Sequence, residues 1–391
     1  MKKALSIILI ALIILSAGSY LLLKGRHPAE INTSISVSKA MSGGDTAGYE
    51  RAIAPRKFTF PEDYGPHPGF KTEWWYFTGN LDAEGGRHFG YQLTIFRTAI
   101  SPDTSHGTPK GTSPLRSNQV YMGHFTLTDV SDNKFYNFER FSRGAEKLAG
   151  AAAVPFHVWL EDWQISEIAG EKSNGIPVIQ IKAEQNGISI NLTLRSMKPV
   201  VLQGDHGFSR KGPEEGNASY YYSLTRLQTD GTVKVNNDNF TIKGLSWMDR
   251  ERSTSALSRN QAGWDWFSLQ LSNSKEIMYY QMRLKTGAPD RFSQGVIVNE
   301  DGQTEPVRKE DVKIEVTGKW TSPSGGEYPS GWKLSIPSKN IYLEIIPYIR
   351  DQELTVSIRY WEGAVKIKGN WDNRPVNGSG YVELTGYGEV L

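Results

Sequence analysis

Short segments in which apolar residues alternate with polar or small ones recur along the chain from residue 58 onward. Clusters of Gly, Asn, Asp and Pro separate these segments. Because alternate residues of a strand point to opposite faces, this period of two predicts half-buried β-strands joined by turns. The pattern is typical of an all-β sandwich or barrel and not of alternating strands and helices. The clearest examples are residues 89–96, 120–127, 178–182 and 188–194.

An aromatic stretch at residues 71–80 adds detail to this prediction. It reads Lys-Thr-Glu-Trp-Trp-Tyr-Phe-Thr-Gly-Asn, so a carboxylate precedes four consecutive aromatic residues. On a strand, Glu73 and Trp75 point to one face, and Trp74 and Tyr76 point to the other. If Trp75 is turned inward, Glu73 is an inward carboxylate that must be either paired or functional. Trp74 and Tyr76 would then pack either against a second part of the protein or against a segment that covers the first strand.

A weak internal repeat divides the strand-rich region into two halves. The aromatic residues 74–76 are followed by a turn and Tyr91, and residues 264–267 are followed by a shorter turn and Tyr280. The ends of the halves are also alike, since residues 243–247 resemble residues 379–382. We expect the chain to divide near residue 240, and the strand that carries Trp247 could be shared between the halves.

Length, charge and cysteine content exclude several classes of protein. At 391 residues the chain exceeds the usual size of one domain. The 44 basic and 42 acidic residues nearly cancel, and no basic run is interleaved with aromatic residues, so nucleic acid is not an expected partner. The absence of cysteine excludes disulfides, thiolate metal sites and cysteine nucleophiles.

No residue spacing indicates a metal site or a serine nucleophile. The seven histidines form no His-x-His or His-Glu-x-x-His pair, so neither a metal nor another cofactor is predicted. The Gly-x-Ser-x-Gly elbow of many hydrolases is absent as well. His124, within an alternating segment, is a candidate for a hydrogen-bonding group that faces a pocket.

The N-terminus has a composition of its own. Residues 4–23 carry no charge, are rich in Leu and Ile, and follow two lysines. About 20 apolar residues suffice to cross a bilayer as a helix, so residues 1–27 are predicted to be a transmembrane anchor, with a cleaved signal segment as the alternative. Residues 28–56 are mostly polar or small and contain few aromatic residues, so they are predicted to form a flexible tether. The rest would lie outside the cytoplasm, on the periplasmic side of the inner membrane, or be secreted if the segment is cleaved.

Several separated motifs, in order, resemble the AttH and CrtC-like family. This family includes predicted secreted hydrolases, carotenoid 1,2-hydratases and lipocalin-like Diels-Alderases, and the similarity extends over residues 57–388. The motifs are Phe-Pro-Glu-Asp-Tyr-Gly-Pro-His at 60–67, Thr-Glu-Trp-Trp-Tyr at 72–76, Val-Leu-Gln-Gly-Asp at 201–205, Ser-Tyr-Tyr-Tyr-Ser at 219–223, Gly-Leu-Ser-Trp-Met-Asp-Arg-Glu at 244–251, and Gly-Tyr-Val-Glu-Leu-Thr-Gly-Tyr at 380–387.

The resemblance implies a fold and a site. The fold would be two tandem lipocalin-like antiparallel β-barrel domains, at residues 57–240 and 241–391, that hold a hydrophobic ligand in an apolar pocket. In the hydratases an aromatic-x-Asp element supplies a carboxyl group that protonates an isolated C=C bond. Asp249 matches that position, with Trp247 as the aromatic residue, and Tyr220 and Tyr222 would form the wall that stabilises the cation.

Two carboxylates leave alternatives open. Asp249 lies among Arg250, Glu251 and Arg252 in the sequence, so it is either a salt-bridged surface residue or an acid that faces an apolar pocket. Glu73 is either paired with Lys71 or a second catalytic carboxylate, with Trp75 and His124 among the substrate-binding residues.

Two functions follow from these expectations. In one, the protein is an enzyme that hydrates or hydrolyses an isoprenoid or lipid-like substrate, with Asp249, Glu73 and Tyr220 as the catalytic groups. Its substrate-binding residues would be Trp247, Tyr222, Trp75 and His124. In the other, it is a non-catalytic carrier of hydrophobic ligands in the cell envelope that works with a membrane transporter.

Overall fold

The computed structural model describes residues 46–102, 117–255 and 257–387. The predicted membrane anchor, residues 1–27, and most of the predicted tether lie outside these ranges. Within them, no helix is long and apolar enough to span a membrane. The described residues form an all-β structure, as the alternation predicts, with short 3-10 helical turns at Glu62–Tyr64, Lys309–Asp311 and Pro337–Lys339.

In the described part of the chain, thirteen antiparallel strands form the first sheet. They are β1 (Thr72–Ala83), β2 (His88–Ala99), β3 (Gln119–Asp129), β4 (Lys134–Arg143), β5 (Ala149–Ala153), β6 (Phe156–Leu160), β7 (Trp163–Ser173), β8 (Ile176–Gln185), β9 (Ile188–Ser196), β10 (Val201–Leu202), β11 (Phe208–Arg210), β12 (Ala218–Val235) and β13 (Asp238–Ser255). The strand order is β4-β3-β2-β1-β13-β12-β9-β8-β7-β6-β5, and β10 and β11 both pair with β12.

The first sheet curls until strands near its opposite ends face each other. Arg140 of β4 donates hydrogen bonds to Gln185 of β8 at 3.0 and 2.7 Å. Phe125 of β3 packs on Trp163 of β7, with ring centroids 5.8 Å apart. One continuous apolar cluster, which includes Trp75, fills the interior. The sheet is therefore a nearly closed barrel with a packed core.

Within residues 257–387, ten strands form the second sheet, and two more form a separate hairpin. The sheet has the order β17-β16-β15-β14-β25-β24-β22-β21-β18, β23 pairs with β24, and the hairpin is β19-β20. The strands are β14 (Gln261–Leu271), β15 (Glu276–Leu284), β16 (Gln294–Val298), β17 (Thr304–Arg308), β18 (Lys313–Val316), β19 (Lys319–Thr321), β20 (Glu327–Pro329), β21 (Trp332–Ile336), β22 (Ile341–Pro347), β23 (Glu353–Thr355), β24 (Arg359–Trp371) and β25 (Arg374–Leu384).

The predicted internal repeat is present in the topology. The hairpin β1-β2 opens the first sheet, and the hairpin β14-β15 opens the second. In each sheet the opening strand also pairs with a late strand, β1 with β13 and β14 with β25. Among the described residues, the strand that carries Trp247, β13, pairs only within the first sheet, with β1 and β12. The division of the chain into domains near residue 240 stays a prediction.

The two sheets pack against each other through the faces that point away from their own cores. A third apolar cluster fills this contact and contains Tyr76, Trp247 and Trp266. Backbones approach closely at one point, because a Cβ added to Gly90 would lie 2.4 Å from the Cβ of Ala364. Each sheet is therefore apolar on its inner face and, where it meets the other, on its outer face too.

Candidate functional site

A cavity of about 440 Å³ lies where the outer faces of the two sheets meet. This volume is within the usual range for small-molecule sites. Ile100 and Phe141 in its wall are 57% and 53% exposed, whereas Asp249 is 4% exposed, so the cavity leads from an apolar mouth to an acidic floor. Six aromatic residues form much of the wall between them: Trp74, Tyr76, Tyr221, Trp264, Trp266 and Tyr280.

Strand register explains why these residues converge. On the β1-β13 pair, Tyr76 lies opposite Asp249 and Trp74 lies opposite Glu251. Residues that are directly opposite each other project from the same face of a sheet. All four therefore leave the outer face of the first sheet and enter the cavity.

Asp249 is a buried carboxyl group surrounded by hydrogen-bond donors. It accepts from the Tyr221 hydroxyl and the Ser223 hydroxyl, each at 2.5 Å, and from Trp247 Nε1 at 2.7 Å. Burial raises the pKa of Asp249 to about 7, although the three donors lower it, and Glu251 raises it further. Asp249 is therefore not a surface residue bridged to an arginine, which was the alternative interpretation of the sequence.

Tyr221 connects Asp249 to the second sheet. Its hydroxyl donates to Asp249 and accepts a hydrogen bond from Trp266 Nε1 at 3.2 Å. Burial, followed by the neighbouring Asp249 and Glu251, raises the pKa of the Tyr221 phenol well above its ordinary value. The phenol is thus neutral, and its hydroxyl links the buried acid of the first sheet to a ring of the second.

A lysine on the same floor is paired with a different acid. Lys211 Nζ lies 3.1 Å from Glu251 Oε1 and 4.0 Å from the centre of the Tyr280 ring. Burial alone would lower the pKa of Lys211, but Glu251 raises it above its ordinary value. Because Lys211 stays charged beside Glu251, it compensates that carboxylate directly.

The second sheet adds carboxyl groups that the sequence analysis missed. Glu383 of β25 lines the cavity, and burial raises its pKa to about 8, with Glu251 and Asp249 as further causes. Glu362 lies directly opposite Glu383, on β24, and is fully buried. The signal that could have found Glu383 is the motif at residues 380–387, in which it is the only acidic residue.

Glu73 and Trp75 lie on the inner face of the first sheet, away from the cavity. Glu73 accepts hydrogen bonds from Arg97 and Arg250 and is fully buried. Burial would raise its pKa, but Arg250 and Arg97, with His67, hold the pKa well below its ordinary value. Trp75 Nε1 donates to the Tyr64 carbonyl in the same core at 2.8 Å. Glu73 therefore does not face Asp249.

The three consecutive tyrosines at 220–222 are divided between the two faces of β12. Tyr220 donates to the Ala54 carbonyl at 3.0 Å, and Tyr222 donates to the Asp63 carbonyl at 3.2 Å. Both lie outside the cavity wall, whereas Tyr221 between them lies in it. Sequence reasoning selected the wrong pair of this triplet for proximity to Asp249, because the face of each residue depends on a register that only the paired strands define.

Trp247 and His124 are the two remaining candidates. Trp247 is buried behind Asp249 and reaches it through the hydrogen bond from Nε1. His124 lies in the cavity wall, with Nδ1 2.7 Å from the Tyr360 hydroxyl and Nε2 3.1 Å from Glu139 Oε1. The predicted roles of both residues in substrate binding stay predictions.

A nearly closed antiparallel barrel, a second sheet and an aromatic cavity with a buried acid define a lipocalin-like protein. Its family follows from comparison with known sequences. The chain belongs to the AttH-like family, whose model matches residues 51–387. The resemblance inferred from the separated motifs is thereby confirmed.

Solved structures support the same assignment. A protein described as a candidate AttH from Nitrosomonas europaea is 31% identical, with a TM-score of 0.73, over 86% of this chain and 99% of that chain. Kievitone hydratase from Nectria haematococca is 16% identical, with a TM-score of 0.64, over 86% and 96% of the two chains. CghA, solved with Sch210972, is 12% identical, with a TM-score of 0.51, over 86% and 95%. The last two show similarity of fold alone. A search of curated proteins found no match.

Proposed function

We propose that the protein is an enzyme that hydrates a carbon–carbon double bond of an apolar small molecule held between its two sheets. The observation that carries this proposal is Asp249, a buried carboxyl group in an aromatic cavity whose pKa burial raises to about 7. A general acid works best when its pKa lies near the working pH, because both protonation states are then accessible.

The proposed reaction begins with Asp249. Its proton forms a new C–H bond with the electron pair of the alkene, and the other alkene carbon becomes a cation. The ring faces of Tyr76 and Trp266, whose centroids are 5.3 Å apart, lie in the same cavity wall. A desolvated aromatic face stabilises a cation by about 2 kcal/mol. Water then adds to the cation and releases one proton, which completes the hydration.

The substrate class rests on the family resemblance and on the character of the cavity. The resemblance implies isoprenoid or lipid-like molecules, and a wall of aromatic and aliphatic side chains suits an apolar body. The hydratase among the structural neighbours is consistent with this chemistry at the level of fold only.

The test replaces the acid while keeping its shape. Asp249→Asn should lower the formation of hydrated product from geranylgeraniol by roughly 10²- to 10⁴-fold, the usual contribution of general acid catalysis. Incorporation of heavy oxygen from labelled water, followed by mass spectrometry, measures the product. Tyr220→Phe, on the opposite face of β12, should retain activity. Binding of the neutral probe N-phenyl-1-naphthylamine should be equal in all three proteins. Unchanged turnover in the Asn variant would refute the proposal.

A carrier of hydrophobic ligands is the second candidate, and the exposed apolar mouth favours it. Ile100 and Phe141 would admit a lipid-like molecule without any chemistry. In that case native mass spectrometry of the purified protein should reveal a bound apolar molecule, and Asp249→Asn should leave its affinity within a few-fold of the wild type. A protein that binds none of the lipids or isoprenoids offered would exclude the carrier.

We also propose a second barrel and a location in the cell envelope. Val307 of β17 and Ile314 of β18, strands at opposite ends of the second sheet, contribute to one apolar core, which supports a second lipocalin-like barrel. Residues 1–27 would anchor the protein to the inner membrane, with its body on the periplasmic side, where a transporter could dock. Cell fractionation with an alkaline wash, combined with the intact mass of the N-terminus, tests the anchor against a cleaved segment.

A further inference from the structure

The corresponding strand pairs of the two sheets place a second acid at the position equivalent to Asp249. On the β1-β13 pair Tyr76 lies opposite Asp249, and on the β14-β25 pair Trp266 lies opposite Glu383. In both cases the first strand of a sheet, β1 or β14, pairs with the last strand of that sheet in chain order, β13 or β25. Asp249 and Glu383 are thus equivalent residues of the two sheets, and both line the same cavity.

The two aromatic partners also correspond. The rings of Tyr76 and Trp266 pack edge to face, with centroids 5.3 Å apart. Each then donates a hydrogen bond to the other sheet: the Tyr76 hydroxyl to Glu362 Oε1 at 2.6 Å, and Trp266 Nε1 to the Tyr221 hydroxyl at 3.2 Å. Each acid therefore lies beside a ring that connects it to the opposite sheet.

Glu383 differs from Asp249 in having a second carboxyl group, that of Glu362, directly opposite it on the neighbouring strand. The two glutamates lie directly opposite each other on β24 and β25, so their carboxyl groups leave the same face. Glu362 is fully buried, and its Oε2 has no hydrogen-bond partner among the described residues. Burial, and then the charge of Glu383, raises the pKa of Glu362 well above its ordinary value, so Glu362 stays protonated when Glu383 ionises.

We propose that Glu383, positioned by Glu362, is the second acid–base group of the cavity and accepts the proton that the attacking water releases. This inference rests on the hydration proposed above. Asp249 gives its proton to carbon, the water oxygen forms the C–O bond, and the proton lost by that oxygen passes to the singly ionised glutamate pair. Exchange with solvent then returns a proton to Asp249, so alkene and water are consumed and an alcohol is formed.

The groups around Glu383 set the pH range in which this division of roles operates. Trp264 donates to Glu383, Glu251 and Asp249 face it from the first sheet, Lys211 opposes them, and Glu362 lies beside it. Turnover needs Asp249 protonated and the pair singly ionised. With pKa values of about 7 for Asp249 and about 8 for Glu383, the fraction of protein in this state is nearly constant between the two values. The rate should fall below about pH 7, because less Glu383 is ionised, and above about pH 8, because less Asp249 is protonated.

The experiment compares the pH profile of geranylgeraniol hydration in the wild type with the profiles of two variants. Glu383→Gln should lower kcat on the order of 10²-fold. It should also abolish the acidic limb, because no base remains to be ionised. Glu362→Gln keeps Glu383 as the base, so it should lose less activity and retain the acidic limb. Binding of N-phenyl-1-naphthylamine should be unchanged in both variants if the cavity is intact.

The outcomes separate this inference from the proposed function. A wild type that forms no product overturns the hydration itself. An active wild type together with a Glu383→Gln variant of unchanged kcat and pH profile overturns only the role of Glu383. An equal loss of kcat in both variants, together with loss of probe binding, would show that the glutamates serve packing alone. This result would also overturn the role of Glu383.

Discussion

Two buried carboxyl groups, Glu73 next to Trp74 and Asp249 next to Arg250, have opposite chemistry in this protein. Glu73 is surrounded by Arg97 and Arg250, so it is held ionised, with a pKa below its ordinary value. Asp249 receives only neutral donors, so burial dominates and its pKa rises to about 7. Neither outcome follows from the neighbouring residues in sequence, because Arg250 points away from Asp249 and toward Glu73 across the strand.

The first prediction concerns Tyr221, one of the two residues whose hydroxyl groups donate to Asp249. Tyr221→Phe removes a hydrogen bond that stabilises the ionised carboxylate, so the pKa of Asp249 should rise above about 7. Carbon-13 NMR titration of the carboxyl group measures this value. Tyr220→Phe, which alters the opposite face of the same strand, should leave it unchanged. A lower or unaltered pKa in the Tyr221 variant would contradict the assignment of this bond.

The second prediction concerns the stability that Glu73 provides. Glu73→Gln leaves Arg97 and Arg250 buried without their carboxylate, which should lower the free energy of unfolding by about 3–5 kcal/mol at neutral pH. Because the folded pKa of Glu73 lies below its ordinary value of 4.5, this contribution is present above pH 4.5 and is lost as the pH falls below it. Urea unfolding should therefore show the difference from wild type shrinking in acid.

A matched control for this variant lies in the same part of the chain. Glu62 is exposed, and Glu62→Gln should change the free energy of unfolding by less than about 0.5 kcal/mol at every pH. Equal losses in the two variants would mean that the buried pairing of Glu73 contributes nothing specific.

At the scale of elements, the alternation along β1 places its aromatic residues on two faces of the strand, which pack in different parts of the protein. Trp75 and Phe77 fill the barrel core, while Tyr76, with Trp74 packed nearby, joins the contact between the sheets. The sequence predicts this division from the period of two. It does not predict which residues of β12 and β13 join them, because that depends on the pairing register.

The third prediction tests the close approach of β2 and β24. Gly90→Ala should lower the free energy of unfolding by about 1–3 kcal/mol, because the new methyl group would overlap the Cβ of Ala364. The double variant with Ala364→Gly should recover part of this loss, and urea unfolding of the four proteins gives the coupling energy. Additive effects would show that the two residues are not in contact.

At the scale of the whole molecule, the site belongs to neither sheet alone. Asp249 and Tyr221 come from the first sheet, and Trp266 and Glu383 come from the second. Buried polar contacts also cross between the sheets, such as Lys198 Nζ to Glu276 Oε2 at 2.7 Å. Separation of the sheets would therefore remove the cavity as well as expose their apolar outer faces.

The fourth prediction tests where the first half ends. A fragment of residues 46–240 lacks nearly all of β13, so β1 and β12 would lose the strand between them, and the fragment should not fold. A fragment of residues 46–255 keeps the complete sheet and should resist proteolysis, although its bare outer face should bind hydrophobic dyes. A protease-resistant shorter fragment would instead support a domain that ends near residue 240.

The sequence by itself determined the all-β class, the repeated hairpin, the family and Asp249 as a candidate acid. Each of these depends on local periodicity or on motifs that are contiguous in the chain. The tertiary structure decided that the cavity lies between the sheets, that Tyr221 rather than Tyr220 or Tyr222 faces it, and that Glu383 joins Asp249. These features depend on register and on the contact of two sheets distant in sequence. The same is true of the pKa values, because burial and the charges that cross a strand pair exist only in the folded chain.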